Sequence, residues 1–166
     1  MTEQSPASSF PQQVIVIELQ DRPGSVNSVA EVFSGRGLQI EAFHGTAGDL
    51  SPDGHAHALI VFRAGADRAS LVTRVLRRLS SVRCAELLAA DDRRLVESVL
   101  IARSDAQPPT GVSLCTLSPQ TALAAGSPAA LDAWLAGDNA PRRLGALRLD
   151  LLLSAPDGCA DPGHPI

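Results

Sequence analysis

Between Val14 and Leu88 the spacing of apolar residues switches repeatedly between that of a strand and that of a helix, which constrains the fold more than any single motif. Val14 to Leu19 is a short β-branched run, after which Val26, Val29, Ala30 and Phe33 recur at helical spacing. Leu38, Ile40 and Ala42 alternate with Gln39 and Glu41, and alternation resumes at Ala56, Ala58, Ile60 and Phe62. Leu71, Val72, Val75, Leu76 and Leu79 form a second helical stripe opposite Arg74, Arg77 and Arg78, and Val82 to Leu88 reads as another strand. Apolar residues at every second position bury one face of a strand, whereas a helical period buries one stripe of a helix, so each switch marks a new element.

The residues between these segments agree with that division. Gln20-Asp21-Arg22-Pro23-Gly24 has turn chemistry, Gly35-Arg36-Gly37 supplies a helix stop, and the polar stretch with Asp49, Ser51, Pro52, Asp53 and Gly54 joins the two strands of a hairpin. Asp67 is placed to cap the second helix. The order β-α-β-β-α-β predicts a four-stranded antiparallel sheet with both helices on one face, the ferredoxin-like arrangement.

Past Asp91-Asp92-Arg93-Arg94 the pattern returns in shorter form. Leu95 to Ala102 reads as a strand, Asp105 to Gly111 as a Pro-rich link, and Val112 to Leu117 and Thr121 to Ala124 as short strands. Pro128 to Leu135 forms a helix started by Ser127, and Leu144 to Leu153 a last strand. This order is β-β-β-α-β, one helix short of a second copy. The expected fold class is therefore α+β. A ferredoxin-like domain covers residues 14–90 and an abbreviated ferredoxin-like α/β domain covers 94–154, with loose tails at 1–13 and 155–166.

Composition narrows the function. A net charge of −4 and an aromatic content of 3% argue against a nucleic-acid partner. Apolar runs such as Val14 to Ile17 are far shorter than the roughly 20 residues of a membrane span, and Met1 to Gln13 lacks the basic start and apolar centre of a secretory signal. Cys84, Cys115 and Cys159 are widely spaced and odd in number, which argues against a disulfide framework or a thiolate metal site and fits a reducing cytoplasm. All 14 basic residues are Arg, and Tyr is absent. That removes a Schiff-base lysine, a complete G-x-x-x-x-G-K-[ST] phosphate loop and phenolic acid–base chemistry. No Ser sits in G-x-S-x-G and nothing places a His beside a Ser or Cys, so no catalytic residue is assigned. His55 and His57 share a strand face with His44 on a neighbour, but no Cys or carboxylate stands at ligand spacing, and no metal site is assigned. The Arg stripe reads as a solvated helix face, and Trp134 as filler of the smaller core.

Asp21-Arg22-Pro23-Gly24-Ser25-Val26 is the most informative stretch, because it sets a carboxylate, a rigid Pro and a side-chain-free Gly at the entrance to a helix. Bare amides and the helix dipole can hold a carboxylate there, Asp21 can pair with an ammonium, and Gly24 allows close approach. The chemistry suits a small zwitterion; the same residues also suit an ordinary strand-to-helix turn.

Val14 to Phe43 carries Asp-x-Pro-Gly-x-Val at 21–26 and Val32-Phe33-Ser34-x-Arg36-Gly37-x-x-Ile40-Glu41 after it. This stretch resembles the ACT domain that opens the small regulatory subunit of acetolactate synthase (acetohydroxyacid synthase). Arg94 to Arg103 resembles the strand that starts that family's C-terminal domain. Val112 to Leu135, with Leu117-Ser118-Pro119 and Leu131-Asp132-Ala133-Trp134-Leu135, resembles its later part, so the likeness runs from Val14 to about Leu153.

The resemblance implies a non-catalytic subunit that forms a homodimer through its ACT domain, activates a large catalytic subunit and confers feedback inhibition by valine or another branched-chain amino acid. Thiamine diphosphate, FAD and Mg2+ would belong to that partner, with no cofactor on this chain. Carried over by motif position, the effector would lie between Asp21, Gly24, Ser25 and Val26 of one protomer and Gln39 and Ile40 of the other. The family usually has Asn where Asp21 and Gln39 stand, and a helix where this chain has only Asp105 to Thr110, which leaves part of one sheet face for a partner to cover. A stand-alone or degenerate ACT-type amino-acid sensor with a different partner remains the alternative.

Overall fold

The computed structural model describes residues 10–47, 55–89, 91–92, 94–144 and 149–152. The expected hairpin loop around Asp49 to Gly54, residues 1–9 of the expected first tail, the whole expected tail 155–166 and part of the expected last strand lie outside the described residues. The chain divides into two compact units with the boundary between Ala89 and Ala90.

β1 (Gln12–Leu19) is apolar on both faces: Ile15, Ile17 and Leu19 are buried on one, Val14 and Val16 on the other. Such a strand belongs inside a sheet. The order is β2-β3-β1-β4, with β2 (Ile40–Thr46), β3 (Ala56–Arg63) and β4 (Val82–Leu88) all pairing antiparallel. α1 (Ser25–Ser34) and α2 (Ala66–Leu76) cover the face carrying Ile15 and Ile17, where Val29, Phe33, Ile60, Phe62, Val72 and Leu76 close the core. Phe33 and Phe62 meet edge to face with ring centroids 5.1 Å apart, a geometry favoured by the ring quadrupoles.

Several details differ from the sequence-based expectation. β1 begins at Gln12, because the Ala64 N–H donates to the Pro11 carbonyl at 3.2 Å and the Gln13 side-chain amide donates to the Ala64 carbonyl at 3.2 Å. Asp67 does not cap α2: the cap is Gly65 in an extended conformation, and Asp67 lies inside the first turn, where the helix dipole favours a carboxylate. Leu71 is 43% exposed and falls off the apolar stripe. Ala69 and Thr73 take its place, the Thr73 hydroxyl donating to the Ala69 carbonyl at 2.9 Å, so its burial leaves no unmet donor. Cys84 is disulfide-bonded, which corrects the expectation drawn from cysteine spacing. An odd count does not prevent one pair, and separation along the chain does not fix separation in the fold. Cys115 is free and exposed.

In the second unit β5 (Leu95–Ala102), β6 (Val112–Thr116), β7 (Thr121–Gly126) and β8 (Leu149–Leu152) pair antiparallel in the order β6-β7-β5-β8. This is the order of the first sheet with equivalent strands exchanged. α3 (Pro128–Leu135) starts at Ser127, whose hydroxyl accepts from the Ala130 N–H at 3.3 Å, with Pro in the first turn. Its Leu131 is buried against Val99, Ile101, Ala122 and Ala124. Where the first unit has α1 between its first two strands, β5 and β6 are joined by residues 103–111 without a helix. Both units are thus ferredoxin-like, the second lacking one helix.

Candidate functional site

β1 is a central strand, and the chain leaves it through a turn that the protein fastens from within. The Gln20 N–H donates to the Ser81 carbonyl at 2.9 Å, tying the turn to the segment before β4, and the Arg22 N–H returns to the Gln20 carbonyl at 2.9 Å. Ser25, only 4% exposed, donates its hydroxyl to the same Gln20 carbonyl at 2.8 Å, while its own N–H donates to the Arg22 carbonyl at 3.2 Å. Ser25 therefore holds the turn together and turns no hydroxyl outward.

Gly24 is the cap of α1, with φ 89 and no side chain to satisfy the helix. The first amide answered in the ordinary helical way is that of Ser28, which donates to the Gly24 carbonyl at 3.0 Å. The amides of Gly24, Val26 and Asn27 donate to nothing among the described residues. No acidic residue stands in the first turn of α1, so no side-chain carboxylate within that turn offsets the partial positive charge of its N-terminus. A Cβ built on Gly24 would meet nothing within 4 Å; space is open above the turn. What this corner offers is three main-chain amides without an acceptor among the described residues, beside an apolar side chain, Val26, which is 51% exposed. Asp21 is exposed on the same turn and already has a polar partner.

Gln39 and Ile40 lie elsewhere. Ile40 opens β2, an edge strand, and packs partly buried against the helix-side core, with Gln39 exposed beside it. They follow the C-terminal end of α1, whereas Asp21 to Val26 precede or begin its N-terminal end. A ten-residue helix separates its ends by about 15 Å, so one copy of the chain does not bring the two halves of the expected site together.

Sequence reading overlooked Asn27, whose amide joins those of Gly24 and Val26 in lacking an acceptor among the described residues; no side-chain pattern marks a main-chain donor. It also overlooked Glu18, buried at 6% exposure in β1, with Arg83 Nε 3.0 Å and His55 Nε2 3.7 Å from its carboxylate. His55 thus sits beside a guanidinium, with its Nδ1 3.2 Å from Arg83 Nη1. Among the described residues no group of three His, Cys, Asp or Glu side chains is placed to hold a metal ion.

No family model matches the sequence, and no curated protein matches it. Solved structures do. The small subunit of acetolactate synthase from Thermotoga maritima overlays with a TM-score of 0.55 at 14% identity, covering 86% of this chain and 94% of that one. The ligand-free regulatory subunit of aspartate kinase from Thermus thermophilus overlays with a TM-score of 0.43 at 17% identity, covering 75% of this chain and 91% of that one. The first likeness, over most of both chains, shows that this chain shares the ferredoxin-like architecture of that small subunit.

Proposed function

We propose that this chain is a non-catalytic regulatory subunit of the acetolactate synthase small-subunit type. In this reading its first unit dimerises, traps a branched-chain amino acid, valine first among them, and biases the activity of a large catalytic subunit. Thiamine diphosphate, FAD and Mg2+ belong to that partner. The observation that carries the reading is the bare start of α1, where Gly24 leaves three amides and a helix dipole open to a small carboxylate. Val26 beside them suits an apolar side chain, and Asp21 suits an ammonium. Gln39 and Ile40 of a second copy complete the site.

Regulation of this kind requires the effector to bind one state of the assembly more tightly than the other, by roughly 1–3 kcal/mol. Coexpression with an acetolactate synthase large subunit tests it. The expected outcome is raised activity that valine suppresses, with Gly24→Asp still activating but no longer responding to valine, because its carboxylate would fill the place of the effector's. Valine inhibition of that variant at the parent's level would remove the turn from the site. The lack of a helix between β5 and β6 favours a second reading, an amino-acid sensor with another partner. Failure to copurify with or activate the large subunit would select it.

A further inference from the structure

In the second unit the missing helix has a consequence for the sheet it would have covered. On the side of that sheet bearing α3, residues of the link after β5 join strand and helix residues in lining an open cleft of about 320 Å3. Its floor is Ile101 and Ala122, both buried, and its sides include Leu114, 41% exposed, and Trp134, packed partly buried against the small core. At its mouth stand Arg103 and Asp105. Both are exposed, and among the described residues neither side chain makes an ion pair or hydrogen bond.

Two opposite charges that share a rim without pairing discriminate among ligands. A simple anion gains from Arg103 and is repelled by Asp105, a simple cation the reverse, whereas a molecule carrying both signs gains from each. The volume stands at the small end of ligand pockets, roughly 300–1,000 Å3, which matches an amino-acid-sized occupant. The apolar floor calls for a hydrocarbon side chain. We propose that this cleft is a second ligand site, separate from the turn at Gly24, which takes a small zwitterion with an apolar side chain, its carboxylate on Arg103 and its ammonium on Asp105.

Trp134 is the only Trp of the chain and lines this cleft, so its fluorescence reports on the cleft. The test titrates the full chain carrying Gly24→Asp with L-leucine, and with isocaproate and isoamylamine as single-charge controls, by Trp fluorescence and by equilibrium dialysis of labelled leucine. Saturable leucine binding is expected, weaker by about tenfold for each control and about tenfold weaker in Arg103→Gln and in Asp105→Asn, the worth of one charged hydrogen bond. No saturable binding by either method, or leucine binding unchanged in both rim variants, overturns the proposal. Because the Gly24 variant is used throughout, the outcome does not depend on the turn site, whose own failure is read from valine inhibition.

Discussion

At position 24 the backbone has φ 89, where an L side chain brings its Cβ against its own carbonyl. Surrounding space is open, so the cost of any substitution there is conformational rather than steric. Gly24→Ala is expected to lower the unfolding free energy by about 1–2 kcal/mol, measured by urea titration. Gly65→Ala, at φ −67 with nothing within 4 Å of a Cβ, should lose less than about 1 kcal/mol, the size of a cap change. Equal losses would mean that the turn relaxes out of its left-handed conformation. The requirement for Gly24 was legible in Asp21-Arg22-Pro23-Gly24, since Pro-Gly is the centre of a type II turn, whose second central residue takes positive φ. The role of Ser25 was not: whether a hydroxyl turns inward to the Gln20 carbonyl or outward to a ligand depends on a rotamer that the sequence leaves open. Glu18 was hidden for a different reason. It sits in an apolar run, and its counter-charge, Arg83, comes from a strand far along the chain.

Elements were most legible where a period and a boundary residue coincide. Ser127-Pro128 fixed the start of α3, and the β-branched run Leu95 to Ala102 fixed β5. Pro108-Pro109 in place of an amphipathic stretch foretold the absent helix, because proline removes the amide a helix needs. The start of α2 was misplaced by two residues, since Gly65 and Asp67 are both acceptable caps and only the extended backbone at Gly65 decides between them. What the sequence did not disclose is how tightly β6 closes on β7. A Cβ at Gly126 would stand 2.7 Å from the Gly111 carbonyl oxygen and 3.0 Å from Val112 Cγ2. The first of these is backbone and cannot rotate away, so the hairpin itself must shift. Gly126→Ala is expected to cost about 1–3 kcal/mol, the usual penalty of overpacking. The loss should appear as weakened amide-exchange protection across Val112 to Thr116, with β1 to β4 unchanged. Unaltered protection there would show that the pairing has slack.

For the whole molecule, the separation between the two halves of the proposed site matters more than either half. Asp21 to Val26 lie at one end of α1 and Gln39 and Ile40 beyond the other, about 15 Å away along a helix that does not shorten. A ligand the size of valine cannot touch both within one chain. β2 lies on the sheet edge, where unpaired main-chain groups invite another strand, so a second copy can supply the missing half. If the effector is shared in this way, its binding and dimerisation are one linked equilibrium. A ligand at a hundred times its dissociation constant then stabilises the dimer by about 2.7 kcal/mol for each occupied site, close to a hundredfold in the dimer dissociation constant. Sedimentation velocity near the midpoint of association should accordingly show valine driving monomer to dimer, and Gly24→Asp should abolish the shift while leaving the ligand-free equilibrium in place. Should valine bind a chain that stays monomeric, the two halves are not shared, and Gln39 and Ile40 leave the site while the amides at Gly24, Val26 and Asn27 keep it.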